Sequence, residues 1–173
     1  MPKIEVAWDS YLKETTDRLP EGLLLTSLDS AGEPNTMAIG WGSVGIVWSR
    51  PMFVVLVRHS RYTYECIETI GDFTVNVPSP DMAETVEFCG TVSGRDHDKF
   101  AECGLTVGQS QTIISPYIDE CDLIYECQVV QHTDVVPENF APEIIDEFYA
   151  GGDFHRIYFG QILRTLAEED FAS

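Results

Sequence analysis

The sequence predicts a mainly β protein, with a closed or nearly closed antiparallel barrel and short helices at its rim. Several short runs rich in β-branched and aromatic residues are separated by clusters of Gly, Pro, Asn, Asp and Ser, the pattern of strands joined by turns. The helical segments are few and short, and they do not alternate regularly with the strands. A doubly wound parallel sheet is therefore not expected.

Length and composition are those of one globular domain. The chain has 173 residues, of which 44% are hydrophobic, so it can bury a sizeable core without disulfides or metals. We predict a single domain over residues 1–173, with its core at about 19–166.

The strands are predicted from apolar runs and alternation. Residues 52–57 form a continuous apolar run, which is typical of a buried strand, and residues 72–77 place Phe73, Val75 and Val77 on one face. The glycines at 40, 42 and 45 interrupt a strand and indicate a bulge or a place where a ligand approaches the backbone, and Gly160 interrupts the last strand. The six predicted strands are 22–28, 35–41, 52–57, 72–77, 123–130 and 156–166.

Short helices are predicted between these strands. Gly71 and Gly104 are expected to end two of them, and Asp81 is expected to cap the start of another. The predicted helices are 8–18, 63–70, 81–88, 96–103 and a short one at 143–148, inside an irregular insert at 137–148.

The charge balance excludes several classes of partner. Twenty-nine acidic and ten basic residues give a formal net charge of −19, whereas nucleic acids and anionic membranes demand a basic face. No apolar run reaches the length of a transmembrane helix, and the N-terminus lacks the apolar core of a signal peptide. The five cysteines include no C-x-x-C pair, which favours reduced thiols and a cytoplasmic protein.

Common catalytic and metal motifs are missing. The four histidines are far apart in sequence and form no H-x-x-x-H or H-E-x-x-H pair, so no metal site is expected. There is no G-x-S-x-G nucleophile motif, no P-loop and no G-x-G-x-x-G. Nucleophilic catalysis therefore has no support from a sequence motif.

Two short segments concentrate four of the ten basic residues beside hydroxyls and glycine. One is residues 58–63, with Arg58 and Arg61, and the other is residues 93–99, with Arg95 and Lys99. Charge-assisted donors, hydroxyls and close backbone approach are what a buried phosphate needs. The segments predict a pocket for a small phosphorylated ligand; the alternative is two exposed loops with ordinary surface cations.

Residues 35–41 carry a different signal, because small and amide-bearing residues lead to a large aromatic. Exposed backbone on such a strand can hydrogen-bond the edge of a planar heterocycle, while Met37 and Trp41 pack on its face. Judged alone, Trp41 is equally well explained as part of the core.

Taken together, the motifs resemble the flavin reductase-like, FMN-binding split-barrel family, and the flavoredoxin branch in particular. The resemblance extends from about residue 19 to 163, with the motifs in the family's order. The segments that carry it are Asn35-Thr36-Met37 with Trp41, then 60–63, 73–78, 88–95, 98–100 and 104–106.

The resemblance implies a six-stranded antiparallel Greek-key split barrel that forms a homodimer, with FMN near the subunit interface. The isoalloxazine ring would be lined by Asn35, Thr36, Met37, Ala38 and Trp41. The ribityl phosphate would be surrounded by Ser60, Arg61, Thr63, Ser93, Arg95 and Lys99, and Arg58 of the first basic segment is also expected to bind the cofactor. His155 matches the histidine that opens the last strand in the family, and Phe171 is placed over the flavin.

The implied activity is an NAD(P)H-dependent flavin oxidoreductase that passes electrons through FMN to a small-molecule or protein acceptor. The family usually has acidic residues after the histidine and after the strand glycine, where this chain has Arg156 and Gln161. This departure concerns the nicotinamide side of the chemistry more than the FMN site. The alternatives are an FMN electron carrier without NAD(P)H activity and a cofactor-free ligand-binding module of the same fold.

Overall fold

The computed structural model describes residues 2–171. These residues form ten strands, five α-helices and three short 3₁₀ turns. The strands are β1 (Lys3–Val6), β2 (Leu23–Leu28), β3 (Pro34–Ile39), β4 (Gly42–Val47), β5 (Arg50–Arg58), β6 (Asp72–Val77), β7 (Val107–Gly108), β8 (Tyr117–Ile118), β9 (Leu123–Asp134) and β10 (His155–Glu168). The helices are α1 (Leu12–Arg18), α2 (Tyr62–Ile70), α3 (Ala83–Thr91), α4 (Lys99–Cys103) and α5 (Pro142–Phe148); the 3₁₀ turns are Leu19–Glu21, Pro80–Met82 and Pro137–Asn139.

Eight of the strands form one antiparallel sheet. Its order is β3-β2-β6-β9-β10-β5-β4, and β1 adds to β10. The 14-residue β10 pairs with β9, β5 and β1, so it organises the centre of the sheet. The mainly antiparallel fold with short helices is confirmed, although the sheet has eight strands rather than the expected six.

The extra strands arise at the N-terminus and after β3. Lys3–Val6 pairs with the end of β10, a contact between distant parts of the sequence. The chain from 35 onward is not one strand broken by glycines: β3 ends at Ile39, and β4 begins at Gly42 as a hairpin partner of β5. Gly42 fits in this hairpin because it has no side chain. An added Cβ would lie only 2.9 Å from the carbonyl oxygen of Val54.

The main apolar core is formed largely by side chains of the sheet, and a second apolar cluster lies under α3 and α4. All six residues of β6 are buried, not only the predicted alternating three. Thr74 donates to the carbonyl of Pro116, and Asn76 accepts from the amide of Ile118. The segment around β8 therefore covers the second face of β6 and satisfies its polar groups.

Helix boundaries agree with the sequence only in part. Gly71 and Gly104 end α2 and α4 in the left-handed conformation, as predicted. The expected cap at Asp81 is wrong, because Asp81 lies in a 3₁₀ turn and α3 begins after Met82. Helix α4 starts at Lys99, where Asp98 accepts a hydrogen bond from the amide of Ala101. Within the part of the chain that the structure describes, no helix is long and apolar enough to span a membrane.

Candidate functional site

Two adjoining cavities contain most of the residues that the sequence singles out. One has a volume of about 230 Å³ and the other of about 140 Å³. They share two lining residues, Met37 and Arg61. We call the first the ring cavity; it is lined by Met37, Ala38, Ile39, Gly40, Trp41, Leu56, Arg58, Arg61 and His155. We call the second the anion cavity; it is lined by Met37, Ser60, Arg61, Tyr62, Thr63, Thr91, Val92, Ser93, Gly94, Arg95 and Lys99.

The ring cavity lies where β3 and β5 end and β10 begins. β3 is the last strand on one side of the sheet, so its outer edge has no strand partner among residues 2–171. Backbone amides and carbonyls on such an edge can bond a ligand, although the carbonyl of Thr36 already accepts from Lys99. The register of β10 on β5 places His155 opposite Arg58 at the mouth of the cavity.

Trp41 forms an aromatic wall of this cavity rather than part of the core. Its side chain is 40% exposed, and its ring lies 4.9 Å edge-on from Phe148 and 5.1 Å from His155. The sequence left the choice between wall and core open. The structure supports the ligand-facing interpretation, because a half-exposed indole beside a cavity offers an apolar surface to a planar ring.

The anion cavity lies at the N-terminus of α2. Arg61 occupies the N-cap position, and no side chain caps this helix end. The first amides of a helix lack internal partners and carry the positive end of the helix dipole, so they favour an anion. Opposite them, the backbone at Gly94 passes so close to Asn35 and Tyr62 that an added Cβ would lie 2.8 Å from Cδ1 of Tyr62.

Arg61 is the cation with the most unused donor capacity in the site. The described residues give its guanidinium one hydrogen bond, to the carbonyl of Gly90 at 3.3 Å. Burial lowers the pKa of Arg61, and the negative charge of Asp153 opposes this shift without cancelling it. A guanidinium has five N–H donors, so most of those of Arg61 remain available where the two cavities meet.

Lys99 is buried, with 4% of its surface exposed. Its Nζ donates to the carbonyls of Thr36 and Cys89, both at 2.8 Å. Burial lowers its pKa to about 8. An ammonium has three donors, so after these two bonds one proton remains to reach the anion cavity.

The other predicted cations have protein partners. Arg58 donates to the carbonyls of Asp153, at 2.7 Å, and Phe148, at 3.0 Å. Arg95 forms an ion pair with Glu65 and donates to the carbonyl of Ser60 at 3.0 Å. The hydroxyl of Ser60 donates to Asp153 at 2.6 Å. These residues line the cavities and also stabilise the surrounding loops through their hydrogen bonds.

His155 is 8% exposed and lies beside Trp41. The hydroxyl of Tyr149 is 2.6 Å from its Nδ1. Burial, and then the charge of Arg58, lower the pKa of His155 to about 4, so its ring is neutral near pH 7. Sequence reasoning missed Tyr149, because a tyrosine directly after an acidic insert carries no pattern that marks it as a site residue.

Three predicted residues do not line either cavity. The side chain of Asn35 donates to Thr63 at 2.8 Å and so supports the anion cavity from behind. The hydroxyl of Thr36 donates into the sheet, to the carbonyl of Leu25. Phe171 packs in the core against Tyr11, with ring centroids 4.9 Å apart, and not beside the ring cavity.

Residues 16–172 match the flavin reductase like domain family. An uncharacterized protein of Archaeoglobus fulgidus is 30% identical over 139 residues, which cover 80% of this chain and 68% of that protein.

Among solved structures, flavoredoxin from Methanosarcina acetivorans is 30% identical, with a TM-score of 0.71 over 88% of this chain and 70% of that one. Flavoredoxin of Desulfovibrio vulgaris (Miyazaki F) is 25% identical, with a TM-score of 0.70 over 86% and 69%. The mainly antiparallel architecture is that of the split-barrel flavin reductase-like fold. The chain therefore belongs to the flavin reductase-like domain family.

Proposed function

We propose that the protein binds FMN across the two cavities and acts as an NAD(P)H-dependent flavin oxidoreductase. The observation that carries the proposal is the junction at Met37 and Arg61. It joins a cavity with an aromatic wall to one built from cations, hydroxyls and a helix N-terminus. A flavin mononucleotide has the same division, with a planar ring at one end and a phosphate at the other.

The residues present suit that cofactor. Arg61 and Lys99 supply positive charge for the phosphate, and the hydroxyls of Thr63 and Ser93 line the same cavity. Met37, Trp41 and the free edge of β3 supply apolar contact and backbone hydrogen bonds for the ring. FMN would supply the redox chemistry, whereas the chain binds and orients it and tunes its electrostatics.

A second candidate is an FMN electron carrier without intrinsic NAD(P)H activity. Two observations favour it. The chain is similar to two flavoredoxins, and it has Arg156 and Gln161 where the family usually has acidic residues. Arg156 is paired with Asp134 and Glu68, and Gln161 accepts a hydrogen bond from Arg50 at 3.1 Å. Neither position offers a carboxylate.

We further propose that the protein is a homodimer and that its electron acceptor is a small molecule or a partner protein. The exposed apolar residues on and after β4 support a dimer: Ile46 is 59% exposed and Trp48 is 56% exposed. A second copy of the chain would remove these side chains from water, which is favourable.

An anaerobic absorbance titration tests the proposal. Purified full-length protein is titrated with FMN, then with NADH and separately with NADPH. A shifted flavin spectrum that bleaches with a nicotinamide nucleotide supports the oxidoreductase and identifies its donor. A shifted spectrum that bleaches only with dithionite supports the carrier. An unshifted spectrum excludes both, and leaves the cofactor-free module of the same fold.

A further inference from the structure

Tyr149 and His155 form a buried hydrogen-bonded pair at the edge of the ring cavity. Tyr149 is 5% exposed, and its hydroxyl is 2.6 Å from Nδ1 of His155. The tyrosine is held on several sides. Its ring stacks on Phe154 at 4.8 Å and packs against Phe140 at 5.4 Å, and the guanidinium of Arg58 lies 5.1 Å from its centroid.

The direction of the proton in this bond follows from the partners available. Among residues 2–171, the Tyr149 hydroxyl has one hydrogen-bond partner, which is Nδ1 of His155. Burial raises the pKa of Tyr149, so the phenol keeps its proton. A buried donor without an acceptor is costly, so the hydroxyl donates to Nδ1. Nδ1 of the neutral imidazole is then the acceptor, and Nε2 carries the ring proton.

The charged groups around His155 keep the ring neutral. Arg58 lies across from it on β5 and disfavours a second positive charge, as His59 does; Asp153 acts in the opposite direction. Burial is the largest influence, and together these groups lower the pKa to about 4. The ring therefore stays neutral throughout the physiological range, and its tautomer decides what it can donate.

We propose that Tyr149 is a positioning residue that holds His155 with its proton on Nε2, so that the histidine donates one hydrogen bond into the ring cavity. Nε2 lies on the side of the ring away from Nδ1, and His155 lines that cavity beside Trp41. Such a donor fits a carbonyl or anionic oxygen on a planar heterocycle. The assignment of that heterocycle as the FMN ring rests on the proposed function, whereas the tautomer does not.

The first test measures the tautomer directly in the ligand-free, full-length protein. Nitrogen-15 NMR of histidine-labelled protein near neutral pH distinguishes a protonated ring nitrogen from an unprotonated one. The signals of His155 are identified by their loss in His155→Gln. We expect an unprotonated Nδ1 and a protonated Nε2. The opposite tautomer, or a charged ring at neutral pH, would overturn the proposal.

The second test removes the hydroxyl. In Tyr149→Phe we expect His155 to populate both tautomers and its pKa to rise, because the bond that stabilises the neutral ring is lost. Tyr125→Phe is the matched control, since Tyr125 is also buried and its hydroxyl also bonds a side chain, but that partner is Thr15, at 2.7 Å, and not His155. An unchanged tautomer population in Tyr149→Phe would contradict the proposed role.

The third test asks whether the donor matters to FMN. His155→Gln places an amide nitrogen near the position of Nε2, whereas His155→Asn places one near Nδ1. We expect the FMN dissociation constant of the Gln variant to stay within about threefold of the unmodified protein and that of the Asn variant to rise by about tenfold. Equal weakening in both variants would exclude an Nε2 donor to FMN. If the unmodified protein does not bind FMN, the proposed function fails, while the NMR result still decides whether Tyr149 sets the tautomer.

Discussion

Lys99 is a residue whose charge changes with pH inside the site. Burial lowers its pKa to about 8, so it is mostly charged near pH 7 and mostly neutral above about pH 9. A neutral amine no longer attracts a phosphate. We therefore predict that the FMN dissociation constant rises as the pH increases through about 8, as measured by fluorescence titration at constant ionic strength.

Two comparisons attribute that pH dependence to Lys99 and the phosphate. Riboflavin lacks the phosphate, so its affinity should not follow the same curve. Lys99→Met should bind FMN weakly at all these pH values and lose the inflection. An identical pH profile for riboflavin would show that Lys99 does not act on the phosphate.

The sequence locates the four basic residues of the site but not the role of each one. The sequence indicates that Arg58, Arg61, Arg95 and Lys99 belong near an anion, and all four line one or both cavities. It does not show which of them are engaged elsewhere. Arg58 is engaged by the carbonyl of Asp153 and Arg95 by the carboxylate of Glu65, and both contacts arise only through the tertiary fold.

Among the elements, the loop that contains Gly94 is tightly packed. An added Cβ would lie 2.8 Å from Tyr62 and 3.0 Å from Cγ of Asn35, which is closer than these side chains allow. Because Asn35 holds Thr63, we predict that Gly94→Ala weakens FMN binding and lowers the free energy of unfolding by about 1–3 kcal/mol. Urea denaturation and an FMN titration measure the two effects.

Gly151→Ala is the matched control for that substitution. A Cβ added at Gly151 has no atom within 4 Å, so both measurements should stay close to those of the unmodified protein. If the two alanine variants behave alike, close packing at Gly94 is not what shapes the anion cavity.

β10 contains a second tight glycine, which the sequence does reveal. The predicted interruption at Gly160 is a register shift against β9, and an added Cβ would lie 2.9 Å from the Cβ of Cys127 and also strike Phe73. Gly160→Ala should lower the free energy of unfolding by about 1–3 kcal/mol, by overpacking the core. A variant as stable as the unmodified protein in urea would contradict this account of the bulge.

Local patterns predicted the buried strands better than the edges. β5 and β6 are dense in apolar residues, so they are visible in sequence. β4 was missed because Gly42 and Gly45 resemble interruptions, and β1 because its four residues are strand only through pairing with β10. Pairing between distant segments is not encoded in a local pattern.

At the scale of the whole molecule, the net charge of −19 and the exposed apolar residues after β3 act in opposite directions. The charge favours separate soluble molecules, whereas Ile46 and Trp48 favour association. We predict a homodimer that Ile46→Glu converts to monomer, measured by sedimentation velocity. Ile114→Glu is the control, because Ile114 is 69% exposed but lies in the segment between β7 and β8, away from β4 in the sequence.

A monomeric unmodified protein would contradict the dimer. A dimer that survives Ile46→Glu but is lost in Ile114→Glu would place the interface on the other face. The sequence predicted the dimer through family resemblance alone, since no local pattern in a single chain distinguishes a surface that meets solvent from one that meets a second copy.

The central claim is that Arg61 joins a ring cavity to an anion cavity and binds the phosphate of FMN. The most direct test is calorimetric titration of the unmodified protein and of Arg61→Ala with FMN and with riboflavin. We predict that FMN binds the unmodified protein more tightly than riboflavin does, and that Arg61→Ala weakens FMN by about 1.5–3 kcal/mol, as expected for a hydrogen bond to a charged group, while leaving riboflavin nearly unchanged. Equal affinities for the two flavins in the unmodified protein, or an unchanged preference in Arg61→Ala, would contradict the claim.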